Sequence, residues 1–169
     1  DVFAAQKASS PAQAQGIIGA AVTDQITLVG TLKAAGAQYV LVPNLPDIGL
    51  TPMARQGQAA GMAAGTAVAK AYNDALYGGL SKAGIEFIPL DTFTILQEIV
   101  ANPGTYGFTN VSGMACTTAS SLTCSPKDFA QPNAANSYVF ADGVHPTTAA
   151  HQIPVSYTHL TLPTICSVE

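Results

Sequence analysis

Tyr39-Val40-Leu41-Val42-Pro43-Asn44 is short, apolar and partly β-branched, and it runs into a proline and an asparagine. Such a run predicts a strand buried on both faces, the pattern of a parallel sheet. A second run of the same kind, Ile85-Glu86-Phe87-Ile88-Pro89-Leu90, comes later in the chain. Between them lies a loop over 45–53, punctuated by Pro46, Gly49 and Pro52, and then an Ala/Gly-rich stretch. Thr51-Pro52 has the residues of a helix start: the hydroxyl can cap free backbone N–H groups, and proline at the first helical position loses nothing by lacking its own. The spacing predicts a helix over 53–77, with Met62, Val68, Tyr72 and Leu76 as its larger apolar residues and the Gly78-Gly79 pair ending it. Strand, crossover helix, strand is a βαβ unit, so the two strands are predicted to be parallel and the crossover right-handed.

Working outward, Ser10-Pro11 repeats the cap logic of Thr51-Pro52 and opens an earlier helix. Its apolar stripe is read as Ile17, Ile18, Ala21, Val22, Leu28, Val29 and Leu32, with Gly36 as the stop. On the other side, Asp91 reads as the cap of a helix over 92–101 rather than as an acid, and Pro103 stops that helix. Asp47 reads as a solvated loop residue or a turn former. The stretch 104–136 is long, polar and rich in Ser, Thr, Asn and Pro; loops of that length are functional or disordered. Ser137-Tyr138-Val139-Phe140 then gives a short strand, and a helix is predicted from about Thr147, with Pro154 interrupting it.

The chain has 169 residues, which predicts one domain at about 150 residues per domain. Lys, Arg, Asp and Glu make up only 9% of it, against roughly 25% in an ordinary soluble chain. Alanine fills the gap, with 29 copies, none of them after Ala150. The six basic residues are scattered and the net charge is −4, so no nucleic-acid partner is expected. No apolar run reaches the roughly 18 residues of a membrane-spanning helix.

The chemical signal is Asp142-Gly143-Val144-His145-Pro146, between a predicted strand and a predicted helix. An Asp three residues before a His can share one tight loop with it. The carboxylate then accepts the imidazole Nδ1–H and fixes the tautomer, which leaves Nε2 as a general base toward a hydroxyl. Ligands in open α/β sheets bind at the C-terminal strand ends, where this segment falls. The same residues also suit a capped turn with no catalytic part. Both residues are expected at a loop rim, where replacing either leaves the domain folded.

Asp142-Gly143-Val144-His145-Pro146-Thr147 resembles the last conserved block of the GDSL, or SGNH, hydrolases. Val42-Pro43-Asn44-Leu45-Pro46-Asp47-Ile48-Gly49-Leu50-Thr51-Pro52 resembles a segment of their secreted esterase branch. Leu90-Asp91-Thr92-Phe93 and Asn102-Pro103-Gly104-Thr105-Tyr106-Gly107-Phe108 are similar to the next pieces, in order. The opening Asp1-Val2-Phe3 is similar to the residues after the asparagine in that family's Gly-x-Asn-Asp block. The resemblance runs from Asp1 to about Gln152 and includes esterase domains carried as passengers of autotransporters.

The resemblance implies a three-layer α/β/α, flavodoxin-like domain with a parallel sheet, here a C-terminal part over 1–153 with the N-terminal strands missing. It implies a carboxylic ester hydrolase with no cofactor, acting on a small-molecule or lipid ester. Asp142 and His145 match the motif and take the orienting and general-base roles. No Gly-Asp-Ser-Leu occurs in the chain, and the glycine and asparagine of the family's oxyanion hole are absent. The chain alone is therefore expected to be inactive. A secreted, periplasmic or cell-surface location is implied, with a link to an outer-membrane β-barrel in the parent. The rival reading is a non-catalytic cell-surface module that keeps the α/β scaffold for adhesion or carbohydrate contact.

The loop over 44–52 either turns the chain or forms a wall of the substrate pocket, with Asn44 and Pro46 as the contact residues. Cys116 and Cys124 bracket a Thr/Ser loop and read as a local disulfide in a secreted protein, or as two thiols in a mobile loop. No metal site is expected, because neither has a second Cys or a His at ligand spacing. His151 lies off the face that would suit joint ligation with His145. Residues 154–169 read as a tail outside the family, similar to translated adapter sequence; the alternative is a natural terminus with a strand over 157–162. On the first reading Cys166 carries no meaning.

Overall fold

A computed structural model describes residues 2–161; Asp1 and 162–169, including Cys166, lie outside the described residues. The chain is mixed α/β with parallel strand pairs, the class expected, and it divides into two compact units, Asp1–Gln97 and Glu98–Glu169.

The first unit opens with α1 (Val2–Gln6) and α2 (Pro11–Ala34). Ser10 caps α2 as predicted, its side chain accepting from the Gln13 amide at 3.2 Å. After α2, Gly36 takes a left-handed φ of 97°, and Ala37 N–H reaches back to Leu32 O at 3.0 Å. Glycine is the residue that adopts this conformation without steric cost, so the helix stops there. The buried residues of α2 are Val22 and Val29, with Ile18 and Ile26 packed partly beside them. Leu28 and Leu32 are off this stripe, 55% and 43% exposed.

Strand β1 (Leu41–Pro43) pairs in parallel with β2 (Ile88–Leu90), Leu41 opposite Ile88 and Pro43 opposite Leu90. Both are shorter than the apolar runs suggest, Tyr39 lying before β1 at 61% exposed, and β1 is not buried on both faces: Val42 is 1% exposed, Leu41 is half-buried and Pro43 is exposed. The crossover contains a 3₁₀ turn (Ile48–Leu50), α3 (Pro52–Gln56) and α4 (Gln58–Lys82). Thr51 caps α3 through Oγ1. The single helix predicted from residue 53 is thus broken at Gly57.

The Gly78-Gly79 pair does not end α4, which continues to Lys82 and closes at Gly84, φ 65°. Gly79 is instead a packing residue: a Cβ there would lie 2.3 Å from Ile26 Cδ1. Nearer the loop, a Cβ on Gly49 would lie 2.2 Å from Met62 O and one on Gly65 would lie 2.8 Å from Gly49 N. The backbones of the loop and α4 therefore touch through two glycines, which fixes the 44–52 loop on the helix. The core of this unit joins Val29, Val42, Leu76 and Leu80, flanked by Tyr77 and Phe87 with ring centroids 5.1 Å apart.

Helix α5 (Thr92–Ala101) begins in the first unit and ends in the second. Asp91 caps it as predicted, accepting from the Thr94 amide at 3.2 Å and from Thr94 Oγ1 at 2.6 Å.

The second unit contains β3 (Asn110–Met114), α6 (Ala134–Ser137), β4 (Tyr138–Phe140) and α7 (Thr148–Thr161). Strands β3 and β4 are parallel, with a register shift between the Asn110–Tyr138 and Met114–Phe140 pairs. The sequence showed β4 but not β3, which lies inside the polar stretch after Gly104. Val139 and Phe140 are almost fully buried, and Ala115, Ala134 and Tyr138 pack with Phe129. Helix α7 begins one residue after Thr147, whose Oγ1 accepts from the Ala150 amide. It runs through Pro154 without stopping, so residues 157–161 are helical rather than strand. No helix among the described residues is long and apolar enough to cross a membrane.

Candidate active site

The 141–146 loop leaves the C-terminal end of β4 and is clamped at its base. Ala141 N–H donates to His145 O at 2.7 Å, and Thr147 N–H donates to Val139 O at 2.9 Å. The clamp follows from residue types: Asp142 forms a side-chain turn, and Thr147 Oγ1 donates back to Tyr138 O at 2.8 Å.

Asp142 Oδ1 accepts from the amides of Val144 at 3.0 Å and His145 at 2.9 Å. Oδ2 accepts from the Ser121 amide at 2.8 Å. His145 Nδ1 lies 2.9 Å from each carboxylate oxygen. Asp142 is only 4% exposed, whereas the His145 side chain is 65% exposed. Asp142 is therefore buried beneath the loop and not at its rim. Burial pushes its carboxyl up, but the His145 amide, the hydroxyl and amide of Ser121, and the Val144 amide outweigh burial and hold it well below the usual carboxylate range.

An ionised carboxylate accepts and cannot donate, so the Nδ1–Asp142 contact requires hydrogen on Nδ1. The neutral imidazole then carries its free lone pair on Nε2. Among the described residues Nε2 has no hydrogen-bond partner. The arrangement presents a base to solvent with its tautomer fixed from behind.

Cys116 and Cys124 are joined by a disulfide, Cα to Cα 6.0 Å. The loop they close contains a 3₁₀ turn (Ser121–Thr123), and this turn supplies the amide to Asp142 Oδ2. Ser121 had no mark in the sequence, because it is one of several serines in a polar stretch and its amide donor could belong to any residue. The pairing of the two cysteines around a short loop was the available hint.

Asn44 and Pro46 lie in the first unit. The Asn44 side chain is spent on the N-terminus of α5: Nδ2 donates to Asp91 Oδ1 at 2.8 Å, and Oδ1 accepts from the Phe93 amide at 3.0 Å and Thr92 Oγ1 at 3.0 Å. Thr92 Oγ1 also donates to Asn44 O. Asn44 is 8% exposed, so it is an internal brace rather than a group offered to a ligand. Pro46 is half-buried. Asp47 is 2% exposed and not solvated. It does form a turn, accepting from the Gly49 amide at 3.0 Å, and it also accepts from Thr66 Oγ1 at 2.6 Å and Gln97 Nε2 at 2.8 Å. No cluster of three or more metal-ligating side chains occurs among the described residues.

The family profile of GDSL-like lipases/acylhydrolases matches residues 3–156. The chain is 31% identical over 140 residues to the GDSL esterase/lipase APG of Arabidopsis thaliana, covering 75% of this chain and 40% of that protein. It is 32% identical over 129 residues to the esterase EstA of Pseudomonas aeruginosa, covering 73% of this chain and 19% of that protein. Lipase 1 of Photorhabdus luminescens is 38% identical over 80 residues, which are 47% of this chain and 12% of that protein. The chain thus spans well under half the length of these curated relatives. It belongs to the GDSL-like lipase/acylhydrolase family.

Proposed function

We propose that the chain carries the acid–base half of a carboxylic ester hydrolase, with His145 as general base and Asp142 as its orienting carboxylate. One observation supports this above the others: a buried, ionised Asp142 meets Nδ1 of an exposed His145 at 2.9 Å, with Nε2 facing away from it. A capped turn needs the amide bonds to Asp142 but not an imidazole held by its Nδ1. The names of the relatives, esterases and lipases among them, support the same chemistry.

In this reading a serine hydroxyl gives its proton to Nε2 as its oxygen attacks the ester carbonyl. The imidazolium, stabilised by Asp142, then returns the proton to the leaving alcohol, and water releases the acid by the same route. The family's Gly-Asp-Ser-Leu motif is absent from these 169 residues. The proposal therefore assigns the nucleophile, with the oxyanion glycine and asparagine, to the longer protein, and expects this chain alone to be inactive. The substrate class is a small-molecule or lipid ester. The Cys116–Cys124 disulfide supports an oxidising, extracellular or periplasmic setting.

The test is hydrolysis of p-nitrophenyl butyrate. Turnover is expected from the full-length protein and not from the isolated chain, and His145→Ala in the full-length protein is expected to abolish it. Full turnover in that variant would overturn the reading.

A further inference from the structure

Asp142 is held from two directions of different origin. The donors to Oδ1 come from its own turn, two and three residues on, and are present whenever that turn forms. The donor to Oδ2, the Ser121 amide, comes from 21 residues earlier in the chain. A carboxylate rotates readily about its last side-chain bond. A donor on Oδ2 adds to the two on Oδ1 a restraint on that rotation, and so on both oxygens against His145 Nδ1.

The 3₁₀ turn that carries this donor has little else to hold it. It contains no buried residue, and Leu122 at its tip is 92% exposed. Its internal bonds all run between neighbours: Ser120 Oγ accepts from the Leu122 amide, and Ser120 O accepts from Thr118 Oγ1, Thr123 Oγ1 and the Thr123 amide. What fixes it is at its ends. The Cys116 amide donates at 2.9 Å to the carbonyl of Ala141, the residue before Asp142, and the disulfide ties Cys124 back to Cys116. Within the ring, Thr117 N–H and Oγ1 also donate to Asp128 O at 2.8 and 2.9 Å, and Asp128 Oδ2 accepts from Ser125 N–H and Oγ.

We propose that the Cys116–Cys124 disulfide is a positioning element for the Asp142–His145 pair, acting through the backbone N–H of Ser121. This rests on the reading of that pair as the acid–base pair. The bond anchors one end of the ring beside Asp142 and so places the Ser121 amide on Oδ2. Neither cysteine touches His145 or a reacting atom; the effect passes through Ser121, chiefly its amide on Oδ2.

The test uses this chain with ¹⁵N-labelled histidine, without substrate, at a pH where the imidazole is neutral. The ¹⁵N shifts of His145 give the ratio of the Nδ1–H to the Nε2–H form. The oxidised chain is expected to hold the Nδ1–H form. Dithiothreitol reduces the disulfide to two thiols and is itself oxidised to its cyclic disulfide. Reduction is expected to lower the ratio roughly two- to tenfold, the factor carried by one hydrogen bond.

Ser121→Pro in the oxidised chain is expected to give the same fall. It deletes the N–H at the first position of a 3₁₀ turn, and Ser120 before it already has the extended φ −136°, ψ 137° that a following proline demands. Ser121→Ala keeps the N–H but removes the hydroxyl that also faces Asp142, and is expected to lower the ratio less than Ser121→Pro; Leu122→Ala is expected to keep it. Amide protection of Ala115 and Phe140 reports whether β3 and β4 stay paired. An unchanged ratio on reduction, with the strands paired, would overturn the role of the disulfide. If reduction loosens the strands, Ser121→Pro decides, and an unchanged ratio there would overturn the proposal as a whole. A fall in Ser121→Ala as large as in Ser121→Pro would overturn it too, by assigning the effect to the hydroxyl. None of these readouts involves turnover, so a failure of this proposal is distinguishable from a failure of the esterase reading.

Discussion

Both carboxylate oxygens of Asp142 lie 2.9 Å from Nδ1 of His145, and the two residues differ sharply in exposure, at 4% for Asp142 and 65% for the His145 side chain. The charge is buried and the base is outside. A buried carboxylate costs heavily unless its oxygens are satisfied. Here three amides and the imidazole satisfy it, so Asp142 can stay ionised against His145.

Asp142→Asn in the full-length protein is expected to lower kcat by up to about 10⁴-fold, the size of the effect when the orienting Asp of a serine protease is changed in this way. An amide side chain offers one acceptor oxygen in place of two. One backbone donor is then left facing an NH₂ group, so the variant should also lose about 1–3 kcal/mol of stability. Kinetics and a urea titration on the same preparation check both effects. Unchanged stability would contradict the buried placement of Asp142.

The lowered Asp142 carboxyl contributes to the acid limb of the stability curve, beside the lowered Asp91 carboxyl. A group whose folded value is depressed stabilises the fold above its unfolded value, about 3.9 for Asp, and that stability is lost as pH falls through the lower folded value. The urea midpoint of the wild-type chain is therefore expected to exceed that of Asp142→Asn most clearly above about pH 4, with the gap narrowing as pH falls further. A gap that widens on acidification would contradict the assignment.

Gly78 and Gly79 separate helix propensity from packing. Nothing lies within 4 Å of a Cβ at Gly78, whereas one at Gly79 meets Ile26 Cδ1 at 2.3 Å. Gly78→Ala is expected to raise stability by about 0.5–1 kcal/mol, because alanine loses less freedom in a helix interior. Gly79→Ala should give less or turn negative, since Ile26 must move. Two urea titrations decide it. Equal gains at both positions would contradict the packing of α2 on α4.

Asp47→Ala is expected to be among the costlier changes in the first unit. It leaves the buried Gly49 amide unsatisfied, at about 1–3 kcal/mol, and removes the acceptor of the half-buried Thr66 Oγ1 and of the exposed Gln97 Nε2, which water can partly replace. Asp47→Asn keeps one acceptor and should cost less. A loss in Asp47→Ala no greater than in Asp47→Asn would show that water replaces the carboxylate.

The features legible in the sequence are those whose physics is local. Ser10, Thr51 and Asp91 each cap the next helix because each side chain reaches an amide three residues on. The proximity of Asp142 to His145 is of the same kind. Features set by distant partners were hidden. The Gly78-Gly79 pair has the residues of a helix end, but the Ile26 side chain gives Gly79 another purpose. Leu28 and Leu32 have the spacing of a buried stripe, yet the face that packs is Ile18, Val22, Ile26 and Val29. Strand β3 contains Gly113, and the Asn110 side chain accepts from the amides of Ser112 and Gly113, which gives the strand the composition of a turn. Ser121 reaches Asp142 from 21 residues away, its amide on Oδ2, so nothing local in the sequence announced it.

The most direct test of the central claim is the rate of p-nitrophenyl butyrate hydrolysis by the full-length protein with His145→Ala, alongside wild type. Circular dichroism confirms the fold of both. Loss of general-base catalysis is worth about 10²–10⁴-fold by itself, and more where base and nucleophile act as a unit. The account predicts a folded protein whose turnover falls by at least that factor. A folded His145→Ala variant that keeps the wild-type rate would contradict it.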